Sequence, residues 1–134
     1  TGITLRNGLE AAQRLEKYGL RIAILHVPTI KPLDQETILE WAARVPIIIT
    51  IEEHSIIGGL GGAVAEVMAE ANFSSSKRFK RIGIPDVFPD KYGSQASLMQ
   101  EFSITTERLI SIINNFLEKD DVSEKLLEQE LVKE

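Results

Sequence analysis

Ile47-Ile48-Ile49-Thr50-Ile51, set between Pro46 and the pair Glu52-Glu53, decides the fold. The run is apolar without alternation, so both faces of the segment must be covered. A strand covered on both faces belongs to a parallel sheet sandwiched by helices. Its flanks agree. Upstream, Asp34 can cap a helix in which Ile38, Trp41, Ala42 and Val45 recur at helical spacing, and Pro46 bars its continuation. Downstream, Leu60, Val64, Val67, Met68 and Ala71 make a stripe that predicts another core-facing helix.

The same alternation extends in both directions. Leu9, Ala11, Ala12 and Leu15 fall on one side of a helix over 8–18, with Gly19 where a C-terminal cap is expected. Arg21–Val27 is short, rich in β-branched residues and stopped by Pro28, which predicts a strand. Beyond the loop 72–77, Phe79–Ile84 reads as a third strand ending at Pro85, and 85–93 as irregular. Ser94 can cap a short helix holding Leu98, Met99 and Phe102. Thr105 can cap a longer one with Leu109, Ile112, Ile113, Phe116 and Leu117 inward. Helices and strands that alternate in this way imply right-handed crossovers, and so an α/β fold: a three-layer α/β/α sandwich with a mainly parallel sheet. The domain is expected over 1–119. The stretch 120–134, with six acids in fifteen residues, reads as an acidic tail with helical potential, carrying Val122, Leu126, Leu127, Leu131 and Val132.

Composition removes whole classes of function. The chain has no cysteine, so disulfides, thiolate metal centres and cysteine nucleophiles are excluded, and His26 and His54 are the remaining nitrogen ligands. No metal site is expected. A net charge of -5 opposes nucleic-acid binding, and the local basic cluster Lys77, Arg78, Lys80 and Arg81 reads as a solvated strand edge. No apolar run approaches the roughly 20 residues of a membrane helix, and no basic-then-apolar leader opens the chain. No membrane partner is expected, and the cytoplasm is the expected compartment.

Gly58, Gly59, Gly61 and Gly62 stand between the buried strand and the next helix, where dinucleotide folds hold a pyrophosphate. The spacing does not match that use. Counted from Gly59 and Gly61, the third position of a G-x-G-x-x-G fingerprint is Val64, and the chain has no Gly-Lys-Ser/Thr triplet. Glycines here would equally serve close backbone approach. Glu52, Glu53 and His54 sit at the carboxyl end of the strand, where acid–base chemistry is conceivable, but adjacent strand residues point to opposite faces. The expectation is therefore that one glutamate accepts hydrogen bonds from the glycine turn, and that Glu53, His54 and the four glycines form an interface or regulatory-ligand site without catalytic residues. His26, beside Pro28, reads as a hydrogen-bonded structural histidine. A serine triad lacks its Gly-x-Ser-x-Gly elbow.

The order of motifs carries a family resemblance: Thr1-Gly2 before an alanine-containing helix, then Ile30-Lys31-Pro32-Leu33-Asp34, Thr50-Ile51-Glu52-Glu53-His54, the glycines, and Ile82-Gly83-Ile84-Pro85-Asp86 with Phe88, Gly93 and Ser94. Over Thr1 to about Leu117 this resembles the C-terminal domain of transketolases, with 1-deoxyxylulose-5-phosphate synthase next and pyruvate-dehydrogenase-type β subunits more distant. The resemblance implies a parent enzyme in which thiamine diphosphate and Mg²⁺ support transfer of a two-carbon ketol unit from a ketose phosphate to an aldose phosphate. It also implies that this domain holds no cofactor and contributes to a dimer. The partners implied are the remaining transketolase domains or a separate N-terminal subunit. No Gly-Asp-Gly metal motif occurs here, and the family's catalytic glutamate belongs to another domain, so that role does not fall on Glu52 or Glu53. Family members have a strand leading into the Thr-Gly pair. In this chain that first strand is expected to be missing or truncated, which leaves a sheet edge open to strand addition.

Overall fold

A computed structural model describes residues 1–90 and 92–131, with the side chains of the last helix described as far as residue 118. A 3-10 turn, Gly2–Thr4, leads into α1 (Leu5–Glu16). It is followed by α2 (Gln35–Ala43), β1 (Ile47–Ser55), α3 (Leu60–Glu70), β2 (Arg78–Ile84), α4 (Gln95–Glu101) and α5 (Thr106–Leu131). β1 and β2 pair in parallel, Ile47 opposite Arg78 and Ile51 opposite Ile82, which requires the α3 crossover.

The two faces of this sheet carry separate cores, so three layers result. On one face Ile49, Ile51, Ile82 and Ile84 meet Ala11 of α1, Ile104, and Leu109 and Ile112 of α5. On the other, Phe79 packs with Ile38 of α2 and with Leu60 and Val64 of α3. Side chains of a strand alternate between faces, so Thr50 and Glu52, flanked by isoleucines aimed at α5, must point toward α3. Both are buried. Coverage of both faces is what the unbroken isoleucine run predicted.

The helix ends follow their side chains. Asp34 accepts from the Thr37 amide at 3.1 Å, Ser94 from the Ser97 amide at 3.2 Å and Thr105 from the Arg108 amide at 3.2 Å, so the three capping residues read from the sequence are caps. Gly19, at φ 80°, closes α1: its amide donates to the Glu16 carbonyl, and that of Leu20 reaches back to Leu15. α4 ends with the same pattern of bonds, but the left-handed residue is Ser103, at φ 55°. No glycine marks that turn in the sequence.

Three expectations change. The segment 21–27 makes no ladder hydrogen bonds. A strand exists only through its partners, and among the described residues β1 pairs with β2 alone, so the sheet is truncated to two strands. Leu25 and Val27 still pack beneath α2 and α3 as apolar cover. Leu9, expected inward, is 55% exposed, because Ala11 and Leu15 are the α1 residues that face the core. The basic cluster is not simply a solvated edge: Lys77 Nζ donates to the carbonyls of Ala43 and Val45 at the end of α2, Arg78 to that of Phe116, and Arg81 to that of Ile56. Lys80 is exposed. α5 is helical through Leu131, while Val132 and the side chains of the other apolar tail residues lie outside what the structure describes.

Candidate functional site at the carboxyl end of the sheet

β1 continues as a strand to Ser55, so it carries Glu52, Glu53 and His54 with it. The pairing slips here: Ile51 lies opposite Ile82, but Ser55 lies opposite Ile84, so β1 carries extra residues over 52–54. Such a bulge needs room on the neighbouring strand. Gly83 supplies it, since a Cβ at that position would lie 2.7 Å from the His54 carbonyl oxygen. The glycine inside the predicted strand Phe79–Ile84 was the available signal for this irregularity, and reasoning from the sequence passed over it.

Glu52 is wholly buried and points at the start of α3. Its Oε2 accepts from the Leu60 amide and its Oε1 from the Gly61 amide, each at 2.7 Å. A helix start leaves several N–H groups without partners and carries a partial positive charge. The N-cap, Gly59, has no side chain with which to satisfy them. Glu52 does so from the adjacent strand. The approach is so close that a Cβ on Gly59 would fall 2.1 Å from Glu52 Oε2, while one on Gly61 would meet Thr50 Oγ1 at 2.8 Å and Arg81 at 2.9 Å. Gly58 takes a positive φ of 74°, turning the chain into the helix. Gly62 has no such constraint: its nearest neighbour would be the Ile56 carbonyl oxygen at 3.9 Å. Of the four glycines, then, Gly59 and Gly61 serve close approach, Gly58 serves a turn, and Gly62 serves neither.

Glu53 points the other way, as alternation along the strand requires. It is exposed and accepts from Gln95 Nε2 at 2.8 Å. His54 is also exposed, and its Nδ1 donates to the Ser55 carbonyl at 2.9 Å, leaving Nε2 as the acceptor of the neutral ring. No hydrogen bond joins Glu52, Glu53 and His54 to one another, so they do not form a proton relay. Thr4 Oγ1 and the Thr1 nitrogen both donate to the Ile51 carbonyl at 2.9 Å, which seats the 3-10 turn beside this end of β1. A cavity of about 300 Å³ results, lined by Ile3, Ile30, Glu52, Glu53, His54 and Gly58 among others. Thr50 Oγ1, buried under α3, has no hydrogen-bond partner. His26, expected to be a hydrogen-bonded histidine, is instead exposed, because its segment has no strand neighbour on which to fold it. Among the described residues no group of three or more His, Asp or Glu side chains is placed to hold a metal ion, and no helix is long and apolar enough to cross a membrane.

Comparison with known proteins agrees with this geometry. Residues 1–109 match the family model described as transketolase, C-terminal domain. The chain is 38% identical over 120 residues to the transketolase family protein y4mN of Sinorhizobium fredii, a match covering 89% of this chain and 34% of that protein. It is 39% identical over 116 residues to 1-deoxy-D-xylulose-5-phosphate synthase 1 of Geobacter sulfurreducens, covering 87% of this chain and 18% of the synthase. Among solved structures it superimposes on a split-gene transketolase described as an inactive beta4 tetramer, with a TM-score of 0.74 and 32% identity, over 85% of this chain and 36% of that one. The chain thus spans about a third or less of each of these longer relatives. Sequence and fold together place this chain in the transketolase C-terminal domain family.

Proposed function

We propose that this chain is the non-catalytic C-terminal domain of a thiamine-diphosphate-dependent, transketolase-type enzyme, contributing structure and subunit contact while the other domains bind thiamine diphosphate and Mg²⁺. The parent reaction on this reading is transfer of a two-carbon ketol unit between sugar phosphates, with 1-deoxyxylulose-5-phosphate synthesis as the alternative parent chemistry. One observation carries the non-catalytic part. Among the described residues, the glycine-rich helix start, the place a phosphate would take, is filled by the protein's own Glu52 carboxylate. A second anion would meet that charge rather than free amides.

The glycine-bearing turn is on this reading a joint that holds α3 against β1. Glu53, His54 and the outward side of Gly58 to Gly62 form a contact surface. The rival, a stand-alone module binding a small anion in the same crevice, predicts micromolar binding of sugar phosphates or nucleotides that a His54→Ala substitution abolishes. Titration calorimetry on this chain is expected to show no such binding. Ketol transfer assayed with thiamine diphosphate and Mg²⁺ is expected from the parent enzyme and not from this chain alone. Turnover by this chain would overturn the proposal.

A further inference from the structure

We propose that the carboxyl end of the sheet is the face on which this domain receives an apolar surface bearing a cationic side chain, supplied by the remaining domains of its parent enzyme. The inference rests on the reading of this chain as one domain of a transketolase-type protein. Exposed apolar side chains concentrate at this end: Phe88 is 95% and Tyr92 105% exposed, and Ile57, Ile3 and Ile30 are each more than a third exposed. Scattered singly they would need no explanation, but exposed apolar side chains gathered at one end of a sheet suit an interaction site.

Their common placement follows from the chain path, since the loop bearing Phe88 and Tyr92 leaves the carboxyl end of β2. Ile3 and Ile30 line the cavity beside Glu53, and Ile57 directly precedes Gly58 of the same lining. The bond from Gln95 to Glu53 sets the start of α4 beside the same strand end, so the loop bearing Phe88 and Tyr92 is anchored there at both of its ends. The cavity lining includes two carboxylates and neither lysine nor arginine. Glu52 is compensated by the amides of α3 and the Thr1 nitrogen is held by the Ile51 carbonyl, so the side-chain charge left facing outward is that of exposed Glu53. An apolar partner surface carrying an arginine or lysine complements both features.

The absence of cysteine from this chain makes the test direct. In the parent enzyme, Phe88→Cys, Tyr92→Cys and Tyr18→Cys are compared by maleimide labelling, with modified peptides followed by mass spectrometry. Tyr18 is 82% exposed just beyond the C-terminal end of α1, whereas the turn that opens α1 lines the cavity, so it serves as the reference. All three side chains are exposed, so the substitutions spare the fold. The proposal expects labelling at positions 88 and 92 to be at least tenfold slower than at 18, independent of enzyme concentration, and to quicken at least threefold when Glu53→Lys is added. Equal rates at all three positions would overturn it, as would protection lost on dilution, which would mean a contact between copies. Labelling indifferent to Glu53→Lys would remove the cation. If neither the polypeptide that contains this chain nor a separately encoded subunit carries thiamine-diphosphate-enzyme domains, it is the functional reading itself that fails. That outcome is visible in the encoding sequence before any labelling.

Discussion

At the scale of single residues the site is organised by one carboxylate. Glu52→Gln keeps the shape but turns an amide NH₂ toward an amide N–H that needs an acceptor, at a wholly buried position. Urea unfolding should show a loss of about 2–4 kcal/mol. The glycines divide by the space around them, and alanine substitution exposes the division. Gly62→Ala adds a methyl group in ordinary contact distance within a helix and should stabilise by about 0.5–1 kcal/mol. Gly59→Ala drives a methyl group into the Glu52 carboxylate and the Ser55 carbonyl, and should destabilise by about 2 kcal/mol or more. Identical effects from the two variants would refute the packing given for the turn. These roles were only half legible beforehand: the sequence showed glycines and glutamates adjacent, and the depth at which Glu52 sits separated one from another.

At the scale of elements the caps carry the local stability, and the two similar helix ends are not equally optimised. Ser103 holds a left-handed conformation that costs a side-chain-bearing residue energy, whereas Gly19 holds one at no steric cost. Ser103→Gly should therefore raise the thermal midpoint, by an amount worth about 0.5–1 kcal/mol. Two exposed acids tie helices to pH. The backbone N–H of Thr37 and then its side chain hold the Asp34 carboxyl below its ordinary value of 3.8. The Glu107 carboxyl is lowered from 4.5 by its own backbone N–H and by the bond from Arg14, which links α1 to α5. A carboxyl whose folded pKa is depressed adds stability above its unfolded pKa, and that stability is lost as pH falls through the folded value. Urea midpoints should accordingly decline as pH drops below about 4. Asp34→Asn, which keeps an acceptor for Thr37 without a charge, should flatten that decline; an unchanged slope would show that Asp34 is not among its causes.

At the scale of the whole molecule two cores, one on each side of a two-stranded sheet, hold the domain, and the end of the sheet gathers the exposed apolar residues that a larger assembly would cover. A pair of strands is marginal alone, so the helices supply most of the burial. The parent enzyme should therefore unfold this domain at a higher denaturant concentration than the separate chain does, checked by hydrogen exchange at Ile82 and Ile104 amides, both inside the α5-side core. By itself the sequence determined the layer architecture, because an isoleucine run without alternation requires cover on both faces. It also determined the helix starts, because Asp34, Ser94 and Thr105 are local acceptors acting over three residues. Tertiary structure alone decided which glutamate turns inward, how many strands pair, and what Lys77, Arg78 and Arg81 do. Each of these depends on a partner distant in the chain: the amides of α3, a neighbouring strand, or the carbonyls of another helix.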